Sequence, residues 1–257
     1  CGGGPAANAA VAVSRLGYRS AAAGYLGNDV YGDLHIEELE RDGVITDLMV
    51  RGDLPTPLSV VLVKPDGKRA LVNYRKPGQF LAPGSIDFSS VDPKVILLDG
   101  HEPLIASDLA KGVKTILDAG SVHRGTESLE GLVDYLVCSE KFARDFTDEI
   151  DEERAVEKLR NFAPNVVITL GRRGLVWKNG QGRGRMPAYD IDALDTTGAG
   201  DAFHGGFAAC VACGKDWEES LRFASAVAAL NCRTVGARTG MPTGDEVKEF
   251  MKHHGHA

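Results

Sequence analysis

The sequence predicts an α/β fold: a doubly wound, mostly parallel sheet flanked by helices, with a small β lid. Three observations predict it. Short runs rich in Val, Ile and Leu ("KVILLD", "VKTILDAG", "DYLVCS" and "NVVITLG") recur from residue 94, each followed by Gly, Asp or Ser. Unbroken apolar runs of that length mark strands buried on both faces, as in parallel sheets. Segments of helical character separate them, the alternation that builds a layered α/β core. One stretch departs from this pattern: "LSVVLVKPDGKRALVNYR" is two β-rich runs around Pro65-Asp66-Gly67, turn chemistry that joins antiparallel strands. On this reading residues 1–46 and 81–257 form the core and residues 47–80 the lid.

Each element has a local reason. In "CGGGPAANAAVAVSRLG" Pro5 suits a first helical turn and Gly17 a stop. "RSAAAGYLG" reads as a short strand, and "VYGDLHIEELERDG" as a helix with Leu34, Ile36 and Leu39 among charged residues, closed by Gly43. The later strands end at Asp99-Gly100-His101, Asp118-Ala119-Gly120, Ser139-Glu140 and Thr169-Leu170-Gly171. Ligands of such sheets gather beyond those carboxyl ends. The last third is helical: "AFHGGFAACVACG", "DWEESLRFASAVAALNC" and "TGDEVKEFMKHH".

Composition narrows the function. With 257 residues, 43% of them apolar, the chain has ample material for a core. Its net charge of -7, with basic residues scattered, speaks against a nucleic-acid surface and for small-molecule partners. No apolar run reaches the ~20 residues of a membrane helix. Five cysteines in a chain this long are no disulfide framework, so a reducing cytoplasm is expected. Cys210 and Cys213 have C-x-x-C spacing but sit in an apolar helix, where core packing is the simpler reading. The tail "HHGHA" reads as a solvated end.

The chemistry concentrates in "LDTTGAGDAFHGGF", Leu194 to Phe207. The first N–H groups of a helix lack partners and carry partial positive charge, and glycine lets an anion approach them. Gly198, Ala199 and Gly200 therefore read as an anion hole, with Asp201 beside it as a base for a hydroxyl held next to a phosphate. That pairing suits phosphoryl transfer, which needs an aligned nucleophile and compensated negative charge. A capping aspartate, worth about 1 kcal/mol, is the plainer alternative. A second glycine cluster, Gly2-Gly3-Gly4, also opens a helix and is followed by Asn8, whose amide matches a sugar hydroxyl or simply faces solvent. In "ITLGRRG", Thr169 and Gly171 offer a hydroxyl and open backbone to a nucleotide. No P-loop, H-E-x-x-H or G-x-S-x-G motif exists, and Phe203 stands where a third Rossmann glycine would be.

With these residues in view, the sequence resembles the ribokinase-like (PfkB) family of carbohydrate kinases over nearly its whole length. "GGGPAANAAVAVSRLG" and "DTTGAGDAFHGGF" carry the resemblance, in the family's order and separation; "GNDVYG", "ITLGRRG" and "GART" are similar to its other segments. The resemblance implies ATP-dependent phosphorylation of a primary alcohol of a sugar, with magnesium accompanying ATP. It implies Asp201 as catalytic base, Gly198, Ala199 and Gly200 as anion hole, and Gly3, Gly4 and Asn8 as sugar ligands. Thr169, Gly171 and Gly174 are expected at the nucleotide, with Gly236 and Ala237 near adenine. Backbone around Asp195, Thr197 and Gly236 holds K+ in relatives that use a monovalent cation. The hairpin becomes a lid that pairs into homodimers in several relatives, and Asn73 and Arg75 would reach substrate from it; exposed strand residues are the alternative. Arg124 would meet substrate beyond a strand end, or be an ordinary loop arginine.

Two departures follow from the same comparison. Relatives have a strand and loop ahead of the first glycine motif, usually with an aspartate that grips the sugar, whereas this sequence begins at Cys1 inside the motif. The family's N-x-x-E aligns with "SEKF", giving Ser139 and Phe142, so Glu140 is the carboxylate expected at the metal. The expected substrate is a ketose, fructose-like or sulfofructose-like, because "NYR" and "DAGSV" resemble kinases of such sugars. Ribokinase or nucleoside kinase activity is the alternative within the class, and a non-catalytic sugar or nucleotide sensor the alternative outside it.

Overall fold

The four Val/Ile/Leu runs are strands β5 (Val95–Leu98), β6 (Lys114–Ala119), β7 (Tyr135–Ser139) and β8 (Asn165–Thr169), parallel and adjacent in chain order in the computed structural model. The structure describes residues 1–63, 69–76, 80–108 and 112–255. The expected Pro65-Asp66-Gly67 turn lies outside the described residues. Helices α4 (Glu140–Thr147) and α5 (Glu152–Leu159) cover one face of the sheet, sharing a core with Leu117, Leu136, Cys138, Val166 and Ile168. Helices α6 (Ala199–Ala212) and α7 (Trp217–Asn231) cover the other, against Ile116, Val137 and Val167. Alternate residues of one strand thus enter two different cores, which is why these strands read as unbroken apolar runs.

Two strands went unread in the sequence at the far edge: β9 (Leu175–Lys178) pairs antiparallel with β8, and β10 (Arg183–Met186) pairs antiparallel with β9. Asn179-Gly180 follows "LVWK" directly, a hairpin signal. The arginine-rich "RGRM" hid its partner strand, since an edge strand needs no apolar alternation.

Before β5 the chain builds α1 (Pro5–Arg15), β1 (Ala21–Gly27), α2 (Val30–Arg41) and β2 (Ile45–Gly52), with β1 and β2 paired in parallel. β3 (Leu58–Val63) and β4 (Arg69–Tyr74) then form a separate antiparallel ribbon. A cavity of about 490 Å³ lies between β1 and β5, lined by Ala21, Ala23, Ile96, Leu98 and the α1 residues Ala6 and Ala10. It separates the β1–β2 pair from the six-stranded sheet, and Asp99 is among the residues that line it. The short α3 (Arg124–Glu127) follows β6, and α8 (Gly244–His253) closes the chain's described part. Among the described residues no helix is long and apolar enough to cross a membrane. All five cysteines are free; Cys210 is buried, whereas Cys213 is exposed at the end of α6, so only one of the pair packs in the core.

Candidate active site

Helix starts separate structural caps from the site. Asp29, Ser139, Asp151, Asp216 and Thr243 each cap a helix by accepting from a backbone N–H of its first turn. α1 and α6 differ: their N-caps are Gly4 (φ 91) and Gly198 (φ 74), with no side-chain cap. Gly198 has a positive φ, and a Cβ there would run into the Ala237 carbonyl. In α6 the Ala199 N–H makes a long bond of 3.3 Å to Thr196 O, and no hydrogen bond among the described residues engages the N–H groups of Gly200 and Asp201. These two amides are open to an anion.

The two glycine-opened helices pack closely. A Cβ on Gly205 of α6 would lie 2.6 Å from the Ala12 Cβ of α1. That approach brings Asn8 to Asp201: Nδ2 donates to Oδ2 over 2.6 Å. Arg238 Nε donates to Asn8 Oδ1 over 2.7 Å, and its Nη2 reaches Gly3 O over 3.3 Å. A guanidinium only donates, so the Asn8 amide has one orientation, oxygen to Arg238 and nitrogen to Asp201. Asp201 is therefore no helix cap: it is the third residue of α6, and its carboxylate answers Asn8. Burial raises its pKa, opposed by the Asn8 hydrogen bond and by the charges of His204 and Arg238.

Asp195 pins the loop before α6. Its Oδ1 accepts from Thr197 N (2.9 Å) and Thr197 Oγ1 (2.7 Å), and its Oδ2 from Gly236 N (2.9 Å). The "DTTGAGD" and "GART" segments, 41 residues apart between Asp195 and Gly236, are thereby one structure. At the end of β5, half-buried Asp99 accepts from Ala6 N at 3.3 Å and pairs with His101 Nδ1 at 3.1 Å. Burial alone would raise its pKa, but the bonds from His101 leave it lowered.

The ribbon reaches this end of the sheet through Arg75, whose Nη2 donates to Glu102 Oε1 over 2.6 Å and whose guanidinium lies 5.2 Å from the Phe80 ring centroid. Glu102 Oε2 accepts from Leu81 N at 2.7 Å. Asn73 is exposed and accepts from Ser59 Oγ at 2.7 Å. Gly3 and Gly4 face open space, and Arg124 is exposed at the first position of α3.

A second group gathers beyond β7 and β8. Thr169 Oγ1 donates to Cys138 O at 3.1 Å, so its proton is turned into the sheet. Gly171 (φ 58) faces open space, while Gly174 (φ 84) lies against the β10 backbone at Met186. Glu140 pairs with Arg173 at 2.7 Å, and Arg173 also holds Glu152. Sequence reasoning named Asp99 and Asp118 only as strand ends and passed over Glu102, His204 and Arg238. Their signal was position: Asp99, Asp118 and Glu102 at or just beyond the carboxyl ends of apolar strands, His204 one helical turn from Asp201, and Arg238 inside "GART".

Comparison with known proteins bears on the family and the fold. The chain is 29% identical to the ribokinase of Bacillus subtilis (strain 168), covering 97% of this chain and 87% of that protein. It is 27% identical to probable fructokinase-5 of Arabidopsis thaliana, covering 97% and 88%. Among solved structures, Arabidopsis thaliana ribokinase complexed with ribose and ATP superposes with a TM-score of 0.85 at 29% identity, covering 97% and 87%. The Thermotoga maritima ribokinase gives 0.82 at 30%, with the same coverage. The pfkB family carbohydrate kinase model matches residues 2–244. Fold, motif order and this match coincide, and the chain belongs to the pfkB family of carbohydrate kinases, ATP-dependent phosphotransferases that act on sugars.

Proposed function

We propose that this kinase transfers the γ-phosphate of ATP to a primary hydroxyl of a ketose, with Asp201 as base. One observation carries the proposal: the Asp201 carboxylate, oriented by Asn8, stands beside the unengaged N–H groups of Gly200 and of Asp201 itself. The hydroxyl proton passes to Asp201 while the amides at 198–201 take up the charge of the transferring group. Gly3, Gly4 and Asn8 line the sugar side; Asn8, with both amide ends engaged, holds the base and shares its remaining lone pair and hydrogen with the sugar. The β3–β4 ribbon, within the 47–80 segment, acts as the lid, with Arg75 anchored on Glu102 and Asn73 and Arg124 at the rim.

Thr169, Gly171, Gly174, Gly236 and Ala237 line the nucleotide side. Magnesium bound with ATP would neutralise charge on the β- and γ-phosphates. Glu140, an oxygen donor of the kind magnesium prefers, would hold it after exchanging Arg173, in an ion pair where each side chain is 47% exposed. Because the Asp195 carboxylate is occupied by Thr197 and Gly236, K+ beside Asp195 and Thr197 would take backbone oxygens. Five free thiols support a reducing cytoplasm, which cell fractionation reads directly. The exposed apolar face of the ribbon supports a homodimer through the lid.

ADP release measured across fructose, sulfofructose, ribose and nucleosides tests the substrate. Ribose is the second reading, favoured by the three ribokinases at 29% and 30% identity. Asp201→Asn is expected to lower kcat by about 10² to 10⁴ with ATP binding little changed, as for loss of a general base. Full activity in that variant removes Asp201 from the chemistry.

A further inference from the structure

One buried ionisable pair has no part in the chemistry above. His204 lies three residues beyond Asp201 in α6 and is 4% exposed; Asp118, in β6, is 8% exposed. Both ring nitrogens face acceptors: Nδ1 is 2.6 Å from the Gly200 carbonyl oxygen and Nε2 is 3.0 Å from that of Val137. A neutral imidazole has one N–H and one lone pair. In that form one contact would set two buried acceptors against each other at hydrogen-bond distance. Both contacts are hydrogen bonds only when both nitrogens carry protons. The counter-charge is in place, with Asp118 Oδ2 3.3 Å from Nδ1 and accepting no hydrogen bond from another described group.

The surrounding charges point the same way. Three carboxylates converge here: Asp99 beyond β5, Asp118 on β6 and Asp201 on α6. His101 pairs with Asp99, while Asn8 and Arg238 attend Asp201, so His204 is the cation left to Asp118. The remaining neighbour, Cys138 on β7, is pushed up by burial and stays a neutral thiol. Burial drives the Asp118 carboxyl up to about 7, opposed first by the His204 charge.

We propose that His204 is an imidazolium at neutral pH, paired with Asp118, and serves as a positioning residue for phosphoryl transfer. Its Nδ1–H fixes the Gly200 carbonyl and so polarises the Gly200–Asp201 peptide, whose N–H faces the anion hole. Its charge, about one helical turn from Asp201, joins the Asn8 hydrogen bond in opposing the rise that burial imposes on that base. The catalytic half of this proposal rests on the reading of Asp201 as base; the protonation half does not.

The test begins with the wild-type chain carrying 15N-histidine, His204 being assigned by its loss in His204→Asn. At pH 8, where a histidine of ordinary pKa, about 6.5, is neutral, both His204 nitrogens should give imidazolium 15N shifts. One unprotonated nitrogen overturns the proposal. Asp118→Asn supplies a second variant, in which the ring should lose its extra proton at lower pH than in wild type; an unchanged titration overturns the pairing. The pH profile of kcat/KM then reads the positioning role. In His204→Asn, where Asp118 takes up a proton, the acid limb should move up by about one pH unit, with KM for ATP nearly unchanged. An unmoved limb overturns that role. Should Asp201→Asn retain full rate, the reading of the base fails while the nitrogen shifts still decide the state of His204.

Discussion

At the residue scale the glycines and Asp201 announced themselves, because only a few residue types can leave a helix start open and place a carboxylate beside it. The partner of Asp201 did not. Asn8 comes 193 positions earlier, and nothing in "PAANAA" says that its amide is clamped by Arg238 from the other end of the chain. The same buried cluster makes a stability prediction. His35, near Arg238 and Glu38, has its pKa lowered to about 4, first by burial and then by the Arg238 charge. The unfolded chain, with an ordinary value of about 6.5, binds a proton in the window between the two, so stability is lost as pH falls from about 6.5 toward 4. After discounting for partial exposure this is worth about 1–2 kcal/mol by pH 4.5. Melting temperatures of wild type and His35→Gln should therefore diverge in slope over that window; parallel curves exclude the effect.

At the element scale the distinction is between helices that cap themselves and helices that wait for a ligand. Asp216 serves only α7, and Asp216→Ala should cost about 1 kcal/mol in a urea melt while leaving kcat unchanged. Gly198→Ala tests the other kind. Its positive φ costs about 1–2 kcal/mol in a residue with a side chain, and the Cβ would displace the Ala237 backbone. That variant should lose about 2 kcal/mol of stability and at least about tenfold in kcat, because the anion hole moves with the loop. A Gly198→Ala enzyme as active as the Asp216→Ala control would detach the turn from catalysis. The β5–β8 strands were legible as buried runs; β2 was not, since its half-buried pattern gives neither a clean alternation nor an unbroken apolar run.

On the whole-molecule scale the outstanding feature is a ribbon with an exposed apolar row. Leu58 pairs with Tyr74 and Val60 with Val72, and these four side chains, with Leu62, are exposed. The neighbouring Ser59–Asn73 pair is polar and also exposed. A continuous apolar face on a two-stranded ribbon is costly in water, and the proposed homodimer would cover it with the same face of a second ribbon. Sedimentation should accordingly show a dimer, and Val60→Glu with Val72→Glu should yield a monomer. A wild-type protein that stays monomeric at high concentration removes the lid as an interface.

The sequence by itself determined the layered α/β class, the positions of the β5–β8 strands and of the last helices, and a glycine-opened helix with a carboxylate in its first turn. Those are consequences of local rules: apolar periodicity, turn chemistry and the unpaired amides of a helix start. Only the tertiary structure decided that α1 and α6 pack closely enough for Asn8 to orient Asp201, that Asp195 joins two distant loops, and that His204 meets Asp118 beneath the anion hole. Such contacts depend on how separate elements approach one another, and that is set by the packing of glycine and alanine faces, which leave no periodic signature in the chain.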